Sequence, residues 1–144
     1  TFCHGYTASG HPVATAVGLE NLAIIEERGL VQNAATVGAH LQKKLRQFEG
    51  HPLVGEVRGI GLIAAVELVR DKATKEKFDP PGKVGTYLYE QAQANGLILR
   101  NLADNIAFCP PMIITEEQVD EMVARFARSL EATHAWVEAG MPAT

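Results

Sequence analysis

The spacing of apolar residues changes along this chain, and glycine and proline residues mark the points of change. Between residues 12 and 49, apolar residues recur at helical steps of three and four. The stretch LVGEVRGIGLIAAVELV, residues 53–69, is rich in valine and isoleucine and is interrupted by Gly59 and Gly61. This composition predicts a short strand, a kink or bulge, and a longer strand. A chain that uses both periods must build a mixed helix-and-sheet fold.

Two helices are predicted before this strand region. Pro12 suits a first helical turn and Gly29 suits a left-handed cap, so the first helix runs from about residue 12 to 28. A second amphipathic helix follows from about residue 30 to 49. The first half of the first helix is small and apolar on almost all sides, which predicts that it starts buried and ends in solvent.

The second half of the chain predicts a strand pair between two helices. Residues 84–95 form the first of these helices, and LILR and IAFC are short strands around the bend NLADN. Thr115 to Gln118 form a capping box that opens the last helix. The order of elements predicts an α+β fold in which a long connecting helix precedes a compact sheet with helices on one face.

Composition limits the classes of partner. The 144 residues carry 17 acidic and 13 basic side chains and no cluster of lysine or arginine, so nucleic acid is not an expected partner. No stretch approaches the roughly 20 apolar residues of a membrane span. Cys3 and Cys109 are the only cysteines, which favours reduced thiols and a cytoplasmic location. Because the chain starts without Met and directly on a loop motif, we expect a piece of a longer polypeptide.

The opening loop, HGYTASG, is a candidate anion site. Gly5 and Gly10 give its backbone the freedom to point several N–H groups one way, and the Thr7 hydroxyl adds a donor. Such a loop can receive a phosphate or a carboxylate. The alternative is structural, with Thr7 and Ser9 satisfying the loop backbone near the start of a helix.

Arg100 is the second candidate. It ends an apolar predicted strand before a turn, where its guanidinium could reach a carboxylate in a cleft; the alternative is an ordinary surface arginine. Arg58, before the predicted glycine kink, is interpreted as structural. His4 and His11 stand seven residues apart in the sequence with no third ligand nearby, so no metal site is expected.

The order of the motifs adds a family resemblance. From residue 2 to about residue 135, the chain resembles the C-terminal portion of class III, fold type I aminotransferases, which use pyridoxal 5'-phosphate (PLP). The resemblance is greatest to the omega-transaminases. Five motifs carry it in order: HGYTASGHPVA, GLENL, EVRGIGLIAAVELV, NGLILR and PPMIITEEQVDEM.

The resemblance implies roles for the candidate residues. Thr7 would cross the interface of a homodimer, or of a dimer within a tetramer, and bind the PLP phosphate of the partner subunit. Tyr6 would lie beside that cofactor and line the partner's substrate pocket. Arg100 would pair with the carboxylate of a keto acid or amino acid and swing aside for an amine that lacks one.

The resemblance also implies a division of the chain and of the chemistry. Residues 1–29 would be the interface loop and connecting helix, and residues 30–144 a small domain with a largely antiparallel sheet. The reaction would move an amino group from an amine or omega-amino acid to pyruvate or a similar keto acid. The lysine that binds PLP would lie upstream, so this chain would hold no catalytic residue and be inactive alone. The competing interpretations are a stand-alone small-molecule-binding or regulatory domain and an interaction module.

Overall fold

The chain folds into a small antiparallel sheet with helices packed on one face and a largely uncovered helix before them. The computed structural model describes residues 5–7 and 9–142. Within them lie helices α1 (Pro12–Glu27), α2 (Leu30–Arg46), α3 (Lys83–Ala94) and α4 (Glu116–Glu138) and strands β1 (Val54–Ile60), β2 (Ile63–Leu68), β3 (Arg100–Leu102) and β4 (Asn105–Phe108). The strand order is β1-β2-β4-β3, and every neighbouring pair is antiparallel. The predicted α+β class with a compact antiparallel sheet is confirmed.

One face of the sheet forms the core. In β2 and β4, fully buried side chains alternate with half-buried ones, as expected when only one face is covered. Phe108 of β4 meets Phe126 of α4 edge to face, with ring centres 5.1 Å apart. Phe126 makes a second edge-to-face contact with Phe48, which follows α2, at 5.2 Å. These aromatic contacts join the sheet to α4 and to the end of α2.

Local signals set the helix boundaries. Gly29 has a φ of 58°, and its N–H donates to the carbonyl of Glu26, so it closes α1 in the left-handed conformation predicted for it. Thr115 and Gln118 form the predicted capping box at the start of α4. The second helix is shorter than predicted: α2 ends at Arg46, and a 3₁₀ turn continues over Gln47–Gly50.

The predicted kink at Gly59 and Gly61 is instead the end of a hairpin. Gly61 lies in the β1–β2 turn with a φ of 54°. A Cβ atom on Gly59 would collide with the carbonyl of Ile63, and one on Gly38 of α2 would collide with the Gly61 backbone. The glycines therefore permit a tight turn pressed against α2, and the register irregularity lies at Val54 and Glu56 instead.

Helix α1 is uncovered in this chain. It has no buried residue, and Val13, Val17, Leu19 and Leu22 are 65%, 63%, 70% and 58% exposed. Only residues 23–25, near its end, are half-buried. The prediction of a buried start is therefore wrong for this chain, which packs α1 only through its last turns. Within the described residues, no helix combines the length and apolar character that crossing a bilayer requires.

Candidate functional site

The opening loop divides its roles between Ser9 and Thr7. The Ser9 N–H donates to the carbonyl of Tyr6 at 2.9 Å, and the Ser9 hydroxyl accepts from the Tyr6 N–H at 2.9 Å. Ser9 thus satisfies the loop backbone, as the structural alternative expected. Thr7 does not: it is exposed, and its hydroxyl has no hydrogen-bond partner among the described residues. A free hydroxyl donor is therefore available to a molecule outside this chain.

The start of α1 holds this loop. His11 is the N-cap, where its Nδ1 accepts from the Ala14 N–H at 3.5 Å, and Pro12 occupies the first turn as predicted. Gly10 has a φ of 77°, which a residue with a side chain rarely adopts. Tyr6 is 71% exposed and stands beside Thr7. His4 lies outside the described residues.

The sheet face opposite the helices, which we call the open face, carries two arginines. The strand register places Arg58, Ala65, Ala107 and Arg100 opposite one another in a row across all four strands. Residues directly opposite in antiparallel strands share a face. The two arginines therefore lie on the edge strands β1 and β3, with two alanines between them.

Arg58 is engaged within the sheet. Its guanidinium contacts Glu56 at 2.9 Å, Asn105 at 2.9 Å and Glu67 at 3.6 Å. Glu56, Glu67 and Asn105 form the neighbouring row of the open face, one on each of three strands. Arg58 therefore links β1, β2 and β4. This arrangement agrees with the structural role predicted for Arg58.

Arg100 has no such partners. It is exposed, and its guanidinium makes no hydrogen bond or ion pair with any residue in the described part of the chain. It begins β3, whereas the sequence placed it at the end of a strand over residues 97–100. The strand starts late because the Leu97 N–H is bound to the carbonyl of Ala92, which closes α3. A free cation beside alanines can bind an anion from outside this chain.

A cluster that the sequence did not reveal lies at His51, Glu131 and His134. Their ligand atoms are within 4.8 Å of one another. The Nδ1 of His51 accepts from the Leu53 N–H at 3.2 Å, so neutral His51 carries its proton on Nε2, which faces Glu131 Oε1 at 3.8 Å. His51 Nε2 is buried and makes no hydrogen bond within the described residues, so it pairs with Glu131 only as an ion pair when the imidazole is protonated. Burial lowers the pKa of His51.

Two pockets lie away from the candidate residues. One, of about 480 Å³, borders α3, where Tyr87 stacks on Trp136 with ring centres 4.1 Å apart. The other, of about 470 Å³, lies between residues 96–99 and α4. Neither is lined by Tyr6, Thr7 or Arg100. These candidates thus stand on open surfaces, and no hydrogen bond or ion pair joins the opening loop to Arg100 within the described residues.

The family of the chain follows from its match to known proteins. The family described as aminotransferase class-III matches residues 1–130. The chain belongs to the class III aminotransferases. The competing interpretation of a stand-alone regulatory domain is not favoured, because the similar proteins are aminotransferases.

Curated relatives of this aminotransferase chain differ in substrate. It is 43% identical over 137 residues to putrescine–pyruvate aminotransferase of Pseudomonas aeruginosa, covering 94% of the chain and 30% of the relative. It is 47% identical over 130 residues to diaminobutyrate–2-oxoglutarate transaminase of Halomonas elongata, covering 88% and 28%. A gamma aminobutyrate transaminase of Solanum lycopersicum is 39% identical over 138 residues, with 96% and 27% covered. The chain thus spans less than a third of these relatives.

Solved structures share the fold. A thermostable omega transaminase from Pseudomonas jessenii superposes with a TM-score of 0.90 at 52% identity, covering 99% of this chain and 31% of that one. An omega transaminase from the same organism in complex with PMP gives a TM-score of 0.89 at 53% identity, covering 97% and 30%. The α+β fold described above is therefore that of the corresponding part of a transaminase.

Proposed function

We propose that this chain is the C-terminal part of a PLP-dependent omega-transaminase. The complete enzyme would move an amino group from an amine or omega-amino acid to pyruvate or a similar keto acid. The observation that carries this proposal is the free Arg100 guanidinium on the open face, in a chain of the class III aminotransferase family. Support also comes from a relative named for putrescine and pyruvate.

The residues of this chain fit one part of a PLP site. The Thr7 hydroxyl is an exposed donor without a partner among the described residues, as a phosphate contact requires. No lysine suits covalent attachment, because five of the six are exposed and Lys44 pairs with Asp120 at 2.9 Å. When bound, PLP supplies the electron sink for amino transfer. A similar solved transaminase is in complex with PMP.

The opening loop would act on a second copy of the complete enzyme. In the proposed homodimer, Thr7 donates to the phosphate in the partner subunit's site, and Tyr6 forms a wall of that site. Two observations support this arrangement: both side chains are exposed, and the helix that follows them has an uncovered apolar surface. Ser9 and the first turn of α1 would keep the loop rigid.

Arg100 would select between substrates. With a keto acid, its guanidinium forms a bidentate, charge-assisted pair with the carboxylate. With an amine that lacks a carboxylate, the side chain withdraws toward solvent, since no ion pair within the described chain holds it in one position. One pocket can then accept both substrates.

Arg100→Ala in the complete enzyme tests this role. We expect the stabilisation of the transition state in the pyruvate half-reaction to weaken by about 2 to 4 kcal/mol, and that in the half-reaction with a carboxylate-free amine to change far less. Single-turnover kinetics, followed in the cofactor absorbance, measure each half-reaction separately. Arg58→Ala is the matched control, because Arg58 lies in the same row but is paired within the sheet. Equal losses in both half-reactions would reduce Arg100 to a support of the strand.

A further inference from the structure

The turn between β3 and β4 is attached to the start of α3. Asp104, in this turn, is only 7% exposed. Its carboxylate accepts the N–H of Gly82 at 2.8 Å and that of Gly85 at 2.9 Å. Gly82 is the N-cap of α3 and has no side chain to bind the free N–H groups of the first turn. Asp104 therefore supplies, from a distant position in the sequence, the cap that α3 lacks.

Close backbone contact reinforces this attachment. Gly85 lies against the Ala103 carbonyl so closely that a Cβ atom there would collide with it. On the other side of the turn, the Leu68 N–H donates to the Asp104 carbonyl at 2.8 Å, which ties the turn to the end of β2. The turn is thus fixed between a helix and a strand.

Arg100 lies at the other end of the same hairpin. Strand β3 has three residues, and Arg100 pairs with Ala107 at its beginning. The Asn101 side chain adds one tether, donating to the Thr86 hydroxyl of α3 at 3.3 Å. The Arg100 side chain makes no polar contact within the described residues, so its position is determined by the backbone of the hairpin.

We propose that Asp104 is a positioning residue for carboxylate recognition. By capping α3 from the β3–β4 turn, it holds the hairpin in the position from which Arg100 reaches the substrate carboxylate. This inference rests on the proposed function of Arg100. It differs from a purely stabilising role because loosening the hairpin should affect only the substrate that Arg100 binds.

The test is Asp104→Asn in the complete enzyme, followed in both half-reactions. Asparagine keeps the shape but can accept only through one oxygen, so the N–H of Gly82 or of Gly85 loses its partner. We expect the apparent dissociation constant of pyruvate to rise about 5- to 20-fold, since small displacements of a binding group are costly. The apparent dissociation constant of a carboxylate-free amine should change by less than about 2-fold.

Thr115→Ala is the matched control. Thr115 caps α4, accepting from the Gln118 N–H, and belongs to a different helix end from the one that contacts the hairpin. Its loss should lower stability without separating the two half-reactions. If Asp104→Asn and Thr115→Ala change both half-reactions alike, Asp104 only stabilises the fold and the inference is overturned.

Two further variants keep the outcomes distinct. If Arg100→Ala itself produces no difference between the half-reactions, the proposed role of Arg100 in carboxylate recognition fails, and the inference fails with it. If Arg100→Ala produces a difference between the half-reactions and Asp104→Asn produces none, only the inference fails. If Asp104→Asn does not fold, Thr86→Val removes the Asn101 tether at an exposed site, and it must raise the pyruvate dissociation constant more than the amine one.

Discussion

At the scale of single residues, we expect His51 to couple the stability of the fold to pH. Burial is the main cause that lowers its pKa; Glu131 opposes the shift, and His134 and Lys72 add to it. Because the pKa is lower in the folded state, the unfolded state binds the proton first as the pH falls. Stability should therefore decrease as the pH drops below about 6.5, the ordinary histidine value.

The variant His51→Asn isolates this effect. Asparagine offers an oxygen where Nδ1 accepts from the Leu53 N–H, but it does not titrate. Between about pH 7.5 and about pH 5.5, the melting temperature should decrease less in the variant than in the wild type. In Glu131→Gln, the melting temperature should decrease more over this pH range than in the wild type, because the substitution removes the group that raises the pKa of His51. The same fall in all three proteins would assign the pH dependence to other groups.

Thr7 provides a second test at this scale, in the complete enzyme. Thr7→Ala should weaken retention of PLP by roughly 1 to 3 kcal/mol, the value of a hydrogen bond to a charged group. Thr7→Ser is the control, because it keeps the hydroxyl and should retain the cofactor. Titration of the apo form at low PLP concentration measures both, and unchanged affinity in Thr7→Ala would remove Thr7 from the site.

At the scale of elements, two helical glycines should respond in opposite ways to alanine. Gly38 of α2 lies against the Gly61 backbone of the β1–β2 turn, whereas Gly18 of α1 has open space around it. Gly38→Ala should destabilise the 144-residue chain by about 1 to 3 kcal/mol through overpacking. Gly18→Ala should be neutral or stabilise it by up to about 1 kcal/mol. Urea unfolding measures both, and a harmless Gly38→Ala would contradict the close packing of α2 on the turn.

Local signals explain which elements the sequence predicted well. The left-handed Gly29 and the Thr115 capping box act within a few residues, so their pattern is visible in the sequence. At Gly61 the sequence predicts a kink rather than a hairpin, because the valine- and isoleucine-rich pattern continues through the turn. Asp104 caps α3 by accepting from Gly85 and Gly82, which lie 19 and 22 positions away in the sequence, and no local pattern reveals such a contact.

At the scale of the whole molecule, the candidate site is divided between two surfaces. The opening loop precedes an uncovered helix, and Arg100 stands on the open face of the sheet. Their roles were predicted from the resemblance to a family, and the structure adds that both Thr7 and Arg100 lack partners among the described residues. Neither of the two pockets described above is lined by Tyr6, Thr7 or Arg100, so we expect the complete enzyme to assemble the site.

The central claim is that Arg100 recognises the carboxylate of the amino acceptor. The most direct measurement is the ratio of kcat/KM for pyruvate to kcat/KM for acetaldehyde, an acceptor of similar size without the carboxylate, in the complete enzyme. In Arg100→Ala this ratio should fall about 30- to 1000-fold, which corresponds to the loss of a charge-assisted pair. Arg58→Ala should leave it nearly unchanged. An unchanged ratio in Arg100→Ala would contradict the claim.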